Sequence, residues 1–367
     1  MSPTDVTTPV IAQPMRSLLI IKLSSIGDVV QALPVATALK RQFPLTRISW
    51  AAESWTAALL TEHPAIDRVI IFPRMAFASV STAFRAWFGQ LIRAARVLRS
   101  ESYDVSLDLQ GLFKSSMVAV LSGGKSKLGI EGQREGSNLF SRALHTKAPG
   151  RHAVEEYLAA AEALGAGGRP ADFGLQVKTA ARISVEQMLA PLKLPSLPLI
   201  VVNASASARR KSWPDARWIE LLDLLGDYAS VMLVGGQEQC RRHNAIARAS
   251  RRHPVDLTGR TSLDQLVALL SRCDLHVAPD TGSAHIAAAL GKPVVGIYGP
   301  TPAWRLGPYG QSDLLVDAGP LCGRSCARFC VHNFRCLRSI PASAVFEKVA
   351  AVIDRRAHES RDHEALS

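Results

Sequence analysis

Short apolar segments alternate with helical patterns along most of the chain. Between these segments, apolar residues recur three and four positions apart, as they do on one face of a helix. Such alternation is typical of a parallel sheet covered by helices on both faces, so the sequence predicts an α/β fold. The predicted strands are residues 18–23, 47–51, 68–72, 105–109, 127–130, 199–203, 230–234, 256–257, 275–278 and 294–298.

Residues 177–198 interrupt this pattern with three prolines. Because prolines punctuate regular structure, we place a domain boundary here. The boundary gives a first Rossmann-like domain at 15–190 and a second at 191–350, each the size of one doubly wound unit, with a cleft expected between them. The polar residues 1–14 lack the features of a signal peptide and are expected to be a disordered leader, and residues 351–367 form a polar tail.

Polar and small residues follow six of the predicted strands. In open α/β sheets ligands bind beyond the carboxyl ends of the strands, where loops converge and helix N-termini present N–H groups. One such loop could serve only as a turn, but six on one edge favour a binding site. The loops are residues 24–28, 110–114, 204–214, 235–238, 280–285 and 299–301.

Two of these loops suit a diphosphate. Residues 280–285, Asp-Thr-Gly-Ser-Ala-His, open a helix whose free N–H groups and dipole favour an anion. Arg209, Arg210 and Lys211 precede a helix expected to begin near Pro214. The phosphate-loop pattern G-x-x-x-x-G-K-[ST] is absent, and no G-x-G-x-x-G follows the first strand. A nucleoside-diphosphate sugar, whose leaving diphosphate such cations would stabilise, fits better.

Composition narrows the choice of partners. The chain has 367 residues and a formal net charge of +12, which indicates an anionic partner such as nucleic acid, an acidic membrane surface or a phosphorylated small molecule. Aromatic residues make up only 6%, and no nucleic-acid motif is present, so nucleic acid is not expected. No apolar run reaches the roughly 20 residues that a membrane-spanning helix needs. We expect a cytoplasmic protein, soluble or peripheral.

Two further features have alternative interpretations. Residues 80–99 form an amphipathic pattern with arginines at 85, 93, 96 and 99, which is either a solvated helix face or a docking face for anionic lipid or acceptor.

Cys322, Cys326, Cys330 and Cys336 could bind a metal or cluster, but they lack the C-x2-C pairs of zinc sites. Packed or free thiols are the other interpretation.

Several segments resemble the ADP-heptose:lipopolysaccharide heptosyltransferases, glycosyltransferase family 9. They are KLSSIGDVVQALPVATALKRQFP, DVSLDLQGLFKSS, NASASARRKSWPDARWIELL, the segment from LTGRTSLDQ through DTGSAH to GIYGPT, and the tail from Cys322. The Ser-Ser-Ile-Gly-Asp form is most similar to the first inner-core enzyme. The resemblance implies a GT-B fold, with acceptor bound mainly by the first domain and ADP-sugar by the second.

The implied reaction is inverting transfer of heptose from ADP-L-glycero-D-manno-heptose to a Kdo residue of Kdo-lipid A. We expect a monomer that requires no cofactor and lies peripherally on the cytoplasmic face of the inner membrane; divalent-ion stimulation and the oligomeric state are not fixed by the sequence. A later-step heptosyltransferase, a nucleotide-sugar epimerase on the same scaffold and a non-catalytic anion binder are the alternatives.

By the same resemblance, Asp28 is the base and Lys211 holds the diphosphate. Because Asp28 lies where a helix is expected to begin, it could instead serve only as a helix cap. The other implied donor-binding residues are Ser205, Ser207, Glu238, Thr261, Asp280, Thr281, Gly282, Ser283 and His285. The candidate acceptor-binding residues are Ser25, Gly27, Lys114, Arg134 and Arg74.

Overall fold

The computed structural model describes residues 15–73, 81–146, 150–168, 170–206, 208–319, 330 and 334–366. Arg74, Ser207, Cys322 and Cys326 lie outside these ranges, as does the expected leader at 1–14. Contacts divide the chain into two units, Met1–Gln176 and Val177–Ser367. The division falls before the prolines that marked the expected boundary at 190, because the helix Thr179–Leu189 packs against the helix Leu263–Arg272 of the second unit.

The first unit contains a six-stranded parallel sheet in the order β3-β2-β1-β4-β5-β6. Its strands are β1 Ser17–Ile21, β2 Arg47–Ala52, β3 Arg68–Ile71, β4 Val105–Asp108, β5 Ser126–Ile130 and β6 Arg142–Leu144. Its helices are α1 Ile26–Gln42, α2 Ser81–Arg99, α3 Phe113–Leu121 and α4 Ala153–Ala163. All five residues of β1 are buried, as expected for a central strand covered on both faces.

The second unit repeats the arrangement, with the strand order β12-β11-β10-β7-β8-β9. Its strands are β7 Leu199–Val202, β8 Ser230–Leu233, β9 Val255–Asp256, β10 Leu275–Pro279, β11 Val294–Tyr298 and β12 Leu315–Asp317. Its helices are α5 Thr179–Leu189, α6 Asp215–Leu225, α7 Cys240–Ala249, α8 Leu263–Arg272, α9 Gly282–Ala289, α10 Ala303–Leu306, α11 Arg335–Ser339 and α12 Ala342–Leu366. The α/β prediction is confirmed.

Two of the four edge strands, β6 and β12, were not predicted. Each has three residues, and Arg142 and Ala143 of β6 are exposed while Asp317 of β12 is exposed as well. These two short strands lack the continuous apolar run by which buried parallel strands are recognised, whereas the edge strand β3 has such a run in Val69, Ile70 and Ile71. The ten predicted strands are all present, and no strand end differs from its predicted position by more than two residues.

Strand order places polar loops side by side in each sheet. β1 pairs with both β2 and β4, and β7 pairs with both β8 and β10, so the direction in which the chain winds reverses at these strands. The loops that follow β1 and β4, and those that follow β7 and β10, then diverge and leave a crevice at the carboxyl edge of each sheet. The loop at 24–28 therefore adjoins the loop after β4, and residues 203–206 adjoin the loop after β10.

Helices α2 and α12 each bury apolar residues while exposing polar ones. In α2, Ala94 and Leu98 are buried whereas Arg93, Arg96 and Arg99 are exposed, so this helix is amphipathic as predicted. The polar tail at 351–366 continues α12, which buries Val352 and Ile353. No helix in the described part of the chain is both long and apolar enough to span a membrane.

The core of the first unit gives a stability test with a matched control. Leu19 of β1 is 0% exposed, whereas Leu45, between α1 and β2, is 98% exposed. We expect Leu19→Ala to lower the free energy of unfolding by about 3 kcal/mol, because it leaves a cavity in a close-packed core. Leu45→Ala should change it by less than about 0.5 kcal/mol. Urea unfolding followed by circular dichroism checks both values, and equal effects would contradict the assigned burial.

Candidate active site

The loop after β1 forms the N-terminus of α1. Ser25 is the N-cap residue, and Asp28 lies in the first turn with Gly27. The Oδ2 atom of Asp28 accepts hydrogen bonds from Ser25 N at 3.1 Å and from Ser25 Oγ at 2.8 Å. Asp28 thus caps the helix through its side chain, and its carboxylate also benefits from the positive end of the helix dipole. Its role as a base stays a prediction.

A buried lysine lies close to this loop. Lys22 Nζ donates hydrogen bonds to Leu109 O at 3.1 Å and to Tyr157 Oη at 2.8 Å, and it lies 4.7 Å from the centre of the Tyr157 ring. Burial opposes its charge, but the Tyr157 phenol and the carboxylates of Asp28 and Asp108 outweigh that and raise the pKa of Lys22. The structure therefore places a permanent positive charge among these acids.

Lys114 of α3 contacts the same loop. Its Nζ donates to Ser24 Oγ at 3.1 Å and pairs with Glu53 Oε1 at 2.9 Å. Gln110 Oε1 accepts from Leu23 N at 2.8 Å and from Ser24 N at 3.3 Å, so the loops after β1 and β4 are tied together. Sequence reasoning missed Glu53, although an acidic residue directly after β2 was a visible signal.

Arg134 is the remaining predicted acceptor-binding residue in the described part of the chain, and it lies after β5. Arg134 is exposed in the loop after β5, where its N–H donates to Gly111 O at 2.9 Å. This backbone bond joins the loop after β5 to the loop after β4. Ser25, Gly27 and Lys114 are therefore brought together by the structure, and Arg134 is connected to them only through the Gly111 turn.

In the second unit, Lys211 lies against Asp280. The Nζ atom is 2.6 Å from Asp280 Oδ2, and the two side chains are 19% and 11% exposed. Asp280 follows β10, and Thr281 is the N-cap residue of α9. Gly282, Ser283 and His285 occupy the first turn of α9, and Ser283 and His285 are buried. Two independent sequence predictions, the basic cluster and the α9 N-terminus, thus meet in one place.

The proton positions around Ser283 follow from its partners. His276 Nδ1 lies 2.8 Å from Val201 O, a group that can only accept, so Nδ1 carries a proton. Complete burial lowers the pKa of His276 to about 4, so at neutral pH its Nε2 is an acceptor for the Ser283 hydroxyl 3.0 Å away. Asn203 Nδ2 donates to the same hydroxyl at 3.1 Å. The Ser283 hydroxyl proton therefore points into the protein.

A cavity of about 740 Å³ opens beside these loops in the second unit. Ser205 and Glu238 are the predicted donor residues that line it. Arg242, which was not predicted, also lines it and donates to Ser205 Oγ at 3.1 Å, to Ala204 O at 2.8 Å and to Asp215 Oδ1 at 2.6 Å. The remaining lining residues are Ala206, Ser212, Trp213, Pro214, Asp215, Gln239, Phe334 and Arg338.

Behind Ser205 lies a second buried histidine. His243 Nε2 is 2.8 Å from Ser205 Oγ, and Nδ1 is 2.9 Å from Thr258 Oγ1. Burial, reinforced by the neighbouring Arg242 charge, lowers the pKa of His243 to about 4. The imidazole is therefore neutral at physiological pH and fixes the Ser205 side chain at the cavity wall. Thr261, in the loop between β9 and α8, is half-buried and does not line this cavity.

The described part of the cysteine segment is packed. Cys336 of α11 is 6% exposed within the core of the second unit, and Cys330 is half-buried. Within the described residues no group of three or more histidine, cysteine or acidic side chains could hold a metal ion. Cys322 and Cys326 lie outside the described residues, so the two interpretations of the whole segment stay open.

The fold and these sites define the class of protein. Two six-stranded parallel sheets, each with the strand order of a doubly wound unit, form the α/β architecture of the GT-B glycosyltransferases. Comparison with known sequences gives the family. The model of glycosyltransferase family 9 (heptosyltransferase) matches residues 91–330. The chain therefore belongs to this family and is a glycosyltransferase.

Individual relatives agree with this assignment. Lipopolysaccharide heptosyltransferase 1 of Salmonella typhimurium is 28% identical over 341 residues, which cover 90% of this chain and 99% of that protein. The structure of the Escherichia coli heptosyltransferase WaaC with ADP has a TM-score of 0.69 and 26% identity, and covers 92% of this chain and 99% of its own. The structure of WaaC with ADP-2-deoxy-2-fluoro heptose has a TM-score of 0.67 and 27% identity, with 91% and 99% coverage.

The two buried histidines predict how stability depends on pH. Their folded pKa values of about 4 lie below the ordinary value of 6.5, so between these values the unfolded chain binds more protons. The stability that they contribute is fully present above about pH 6.5 and is lost as pH falls towards 4. Between these two pKa values, each histidine should add about 1.4 kcal/mol per pH unit to the slope of the free energy of unfolding against pH.

Urea unfolding at several pH values between 4.5 and 7.5 measures this slope. His276→Asn and His243→Asn should each lower the slope by the contribution of one proton, about 1.4 kcal/mol per pH unit. An unchanged slope in both buried variants would show that these imidazoles are already protonated in the folded protein.

Proposed function

We propose that the chain transfers heptose from ADP-L-glycero-D-manno-heptose to a Kdo residue of Kdo-lipid A, as the first heptosyltransferase of the lipopolysaccharide inner core. The observation that carries the proposal is the meeting of Lys211 with the α9 N-terminus in a chain similar to proteins bearing that function. WaaC, one such relative, has been solved with ADP and with an ADP-heptose analogue.

The donor side of the mechanism uses fixed positive charge. As the bond from the anomeric carbon to the diphosphate breaks, negative charge grows on the departing phosphate oxygens. An ammonium has three N–H donors, so Lys211 can contact Asp280 and a phosphate oxygen at once. The α9 N-terminus adds further donors and Arg242 adds positive charge at the cavity wall, and such preorganised groups lower the barrier because they need no reorientation. We assign the adjoining cavity to the ADP-sugar.

The acceptor side needs one base. In an inverting displacement an acceptor hydroxyl attacks the face opposite the leaving group and gives up its proton as the new bond forms. We assign that proton to the Asp28 carboxylate, half-buried at the α1 N-terminus. Ser25, Gly27, Lys114, Arg134 and Arg74 are assigned to the acceptor, so we assign acceptor binding to the first unit and donor binding to the second.

We further propose that the enzyme works as a monomer at the cytoplasmic face of the inner membrane, without a resident cofactor. The exposed arginines of α2, at 93, 96 and 99, would contact anionic lipid headgroups. The net charge of +12 would add to this attraction. The proposed donor chemistry uses charges of the chain itself. Assays with and without added divalent ions measure whether such ions stimulate transfer.

The reaction is tested by incubating the protein with ADP-heptose and measuring released ADP, with and without Kdo-lipid A. We expect ADP release to require the acceptor, and mass spectrometry to show one added heptose. Release without acceptor would instead indicate a hydrolase, and interconversion of the sugar without release an epimerase. Transfer only to an acceptor that already carries heptose would indicate a later-step enzyme.

The base assignment is tested by Asp28→Asn. An amide oxygen still accepts a capping hydrogen bond but cannot take a proton at neutral pH, so kcat should fall by about 1000-fold or more while ADP affinity is kept. Asp264→Asn is the matched control, because Asp264 lies in the first turn of α8 and pairs with Lys178 at 2.9 Å. Full activity with a lowered melting temperature in the Asp28 variant would restrict Asp28 to capping.

A further inference from the structure

Glu53 is a buried carboxylate that joins two side chains. It is 3% exposed and directly follows β2. Its Oε1 accepts from Lys114 Nζ at 2.9 Å, and its Oε2 accepts from Trp55 Nε1 at 2.7 Å. Its own N–H donates to Leu23 O at 3.0 Å, which fixes it beside the end of β1. A carboxylate so deeply buried would be costly without such partners, so both contacts are held firmly.

Each partner of Glu53 remains accessible. The Lys114 side chain is 26% exposed, and within the described residues two of its three N–H groups have partners, Glu53 and Ser24. Trp55 is 43% exposed, and its only polar atom is bound to Glu53, so the part that faces solvent is apolar ring. An ammonium with a donor to spare and an exposed indole are thus held by one carboxylate.

This pair lies next to the proposed base. Lys114 donates to Ser24, and the next residue, Ser25, is bonded to Asp28 through both its N–H and its hydroxyl. A ligand held by Lys114 would therefore have its neighbouring atoms within reach of the loop that carries Asp28. The pair also lies at the carboxyl edge of β1, β2 and β4, where ligands of such sheets bind.

We propose that Trp55 and Lys114 form a binding subsite for an acidic sugar of the acceptor, and that Glu53 is its positioning residue. This inference rests on the proposed function, since an acceptor sugar acid is what that reaction supplies. A sugar acid matches both groups: its C–H face packs on the indole, and its carboxylate takes the third ammonium donor. A neutral sugar would lack the ion pair, and a simple phosphate would lack the face.

Glu53 also sets the strength of this subsite. Its negative charge offsets that of Lys114, so the pair is neutral before the ligand arrives. An incoming carboxylate is then bound mainly by directed hydrogen bonds and ring contact, which depend on geometry more than on net charge. Loss of Glu53 should therefore weaken binding by releasing both side chains, even though it leaves the site more positive.

Steady-state kinetics with Kdo-lipid A and ADP-heptose test the subsite. Trp55→Ala, Lys114→Met and Glu53→Gln should each raise the acceptor KM by about tenfold, the effect of one lost contact, and leave the donor KM within about twofold. Lys125→Met is the matched control, because Lys125 pairs with Asp104 at 2.8 Å at the opposite, amino edge of the same sheet. Unchanged acceptor KM in all three variants would overturn the proposal.

Direct binding separates this inference from the proposed function. Free Kdo should quench tryptophan fluorescence in the wild type. The methyl glycoside of a neutral sugar, which has no carboxylate for Lys114, should not. The Kdo signal should vanish in Trp55→Ala. Trp55→Phe keeps a ring but loses the indole fluorescence, so calorimetric titration measures its Kdo affinity, most of which should be retained even where the alanine variant unfolds. Quenching that survives in Trp55→Ala would refute the subsite. If Kdo binds in this way but no heptose is transferred, the proposed function fails and the subsite stands.

Discussion

The parallel direction of every strand is the constraint on which the candidate site depends. In both sheets all six strands run the same way, so every strand delivers its following loop to one edge. The reversal of winding at β1 and β4, and at β7 and β10, separates the neighbouring loops there. Polar residues that are far apart in sequence, such as Ser24 and Lys114, therefore meet without any long-range motif to bring them together.

Three cations in or beside these loops are paired with carboxylates. Lys211 contacts Asp280, Lys114 contacts Glu53, and Arg242 contacts Asp215. Such pairs keep the positions of the cations fixed and reduce the repulsion expected in a chain of charge +12. They also mean that an anionic ligand meets donors that are already ordered, so less side-chain entropy is lost on binding.

Sequence reasoning found the strands and the loops that follow them because burial leaves a direct trace in the apolar pattern. It missed β6 and β12, where edge positions leave short and partly exposed strands. It also missed Glu53, Arg242 and His243, since a buried polar residue is recognisable only by the partners that satisfy it. His243 is bonded to Ser205 and Thr258, which no spacing rule connects with α7. The hydrogen bond from the Ser283 hydroxyl to His276 was not predicted either, and donor binding by Ser283 stays a prediction.

Capping and catalysis make compatible demands on Asp28. To accept hydrogen bonds from both Ser25 N and Ser25 Oγ, the carboxyl group is best ionised, and a base must be ionised as well. The α1 N-terminus stabilises that form, and the buried Lys22 charge acts in the same direction. As the proposed base, the ionised Asp28 would take the proton as the acceptor hydroxyl bonds to the anomeric carbon and becomes strongly acidic.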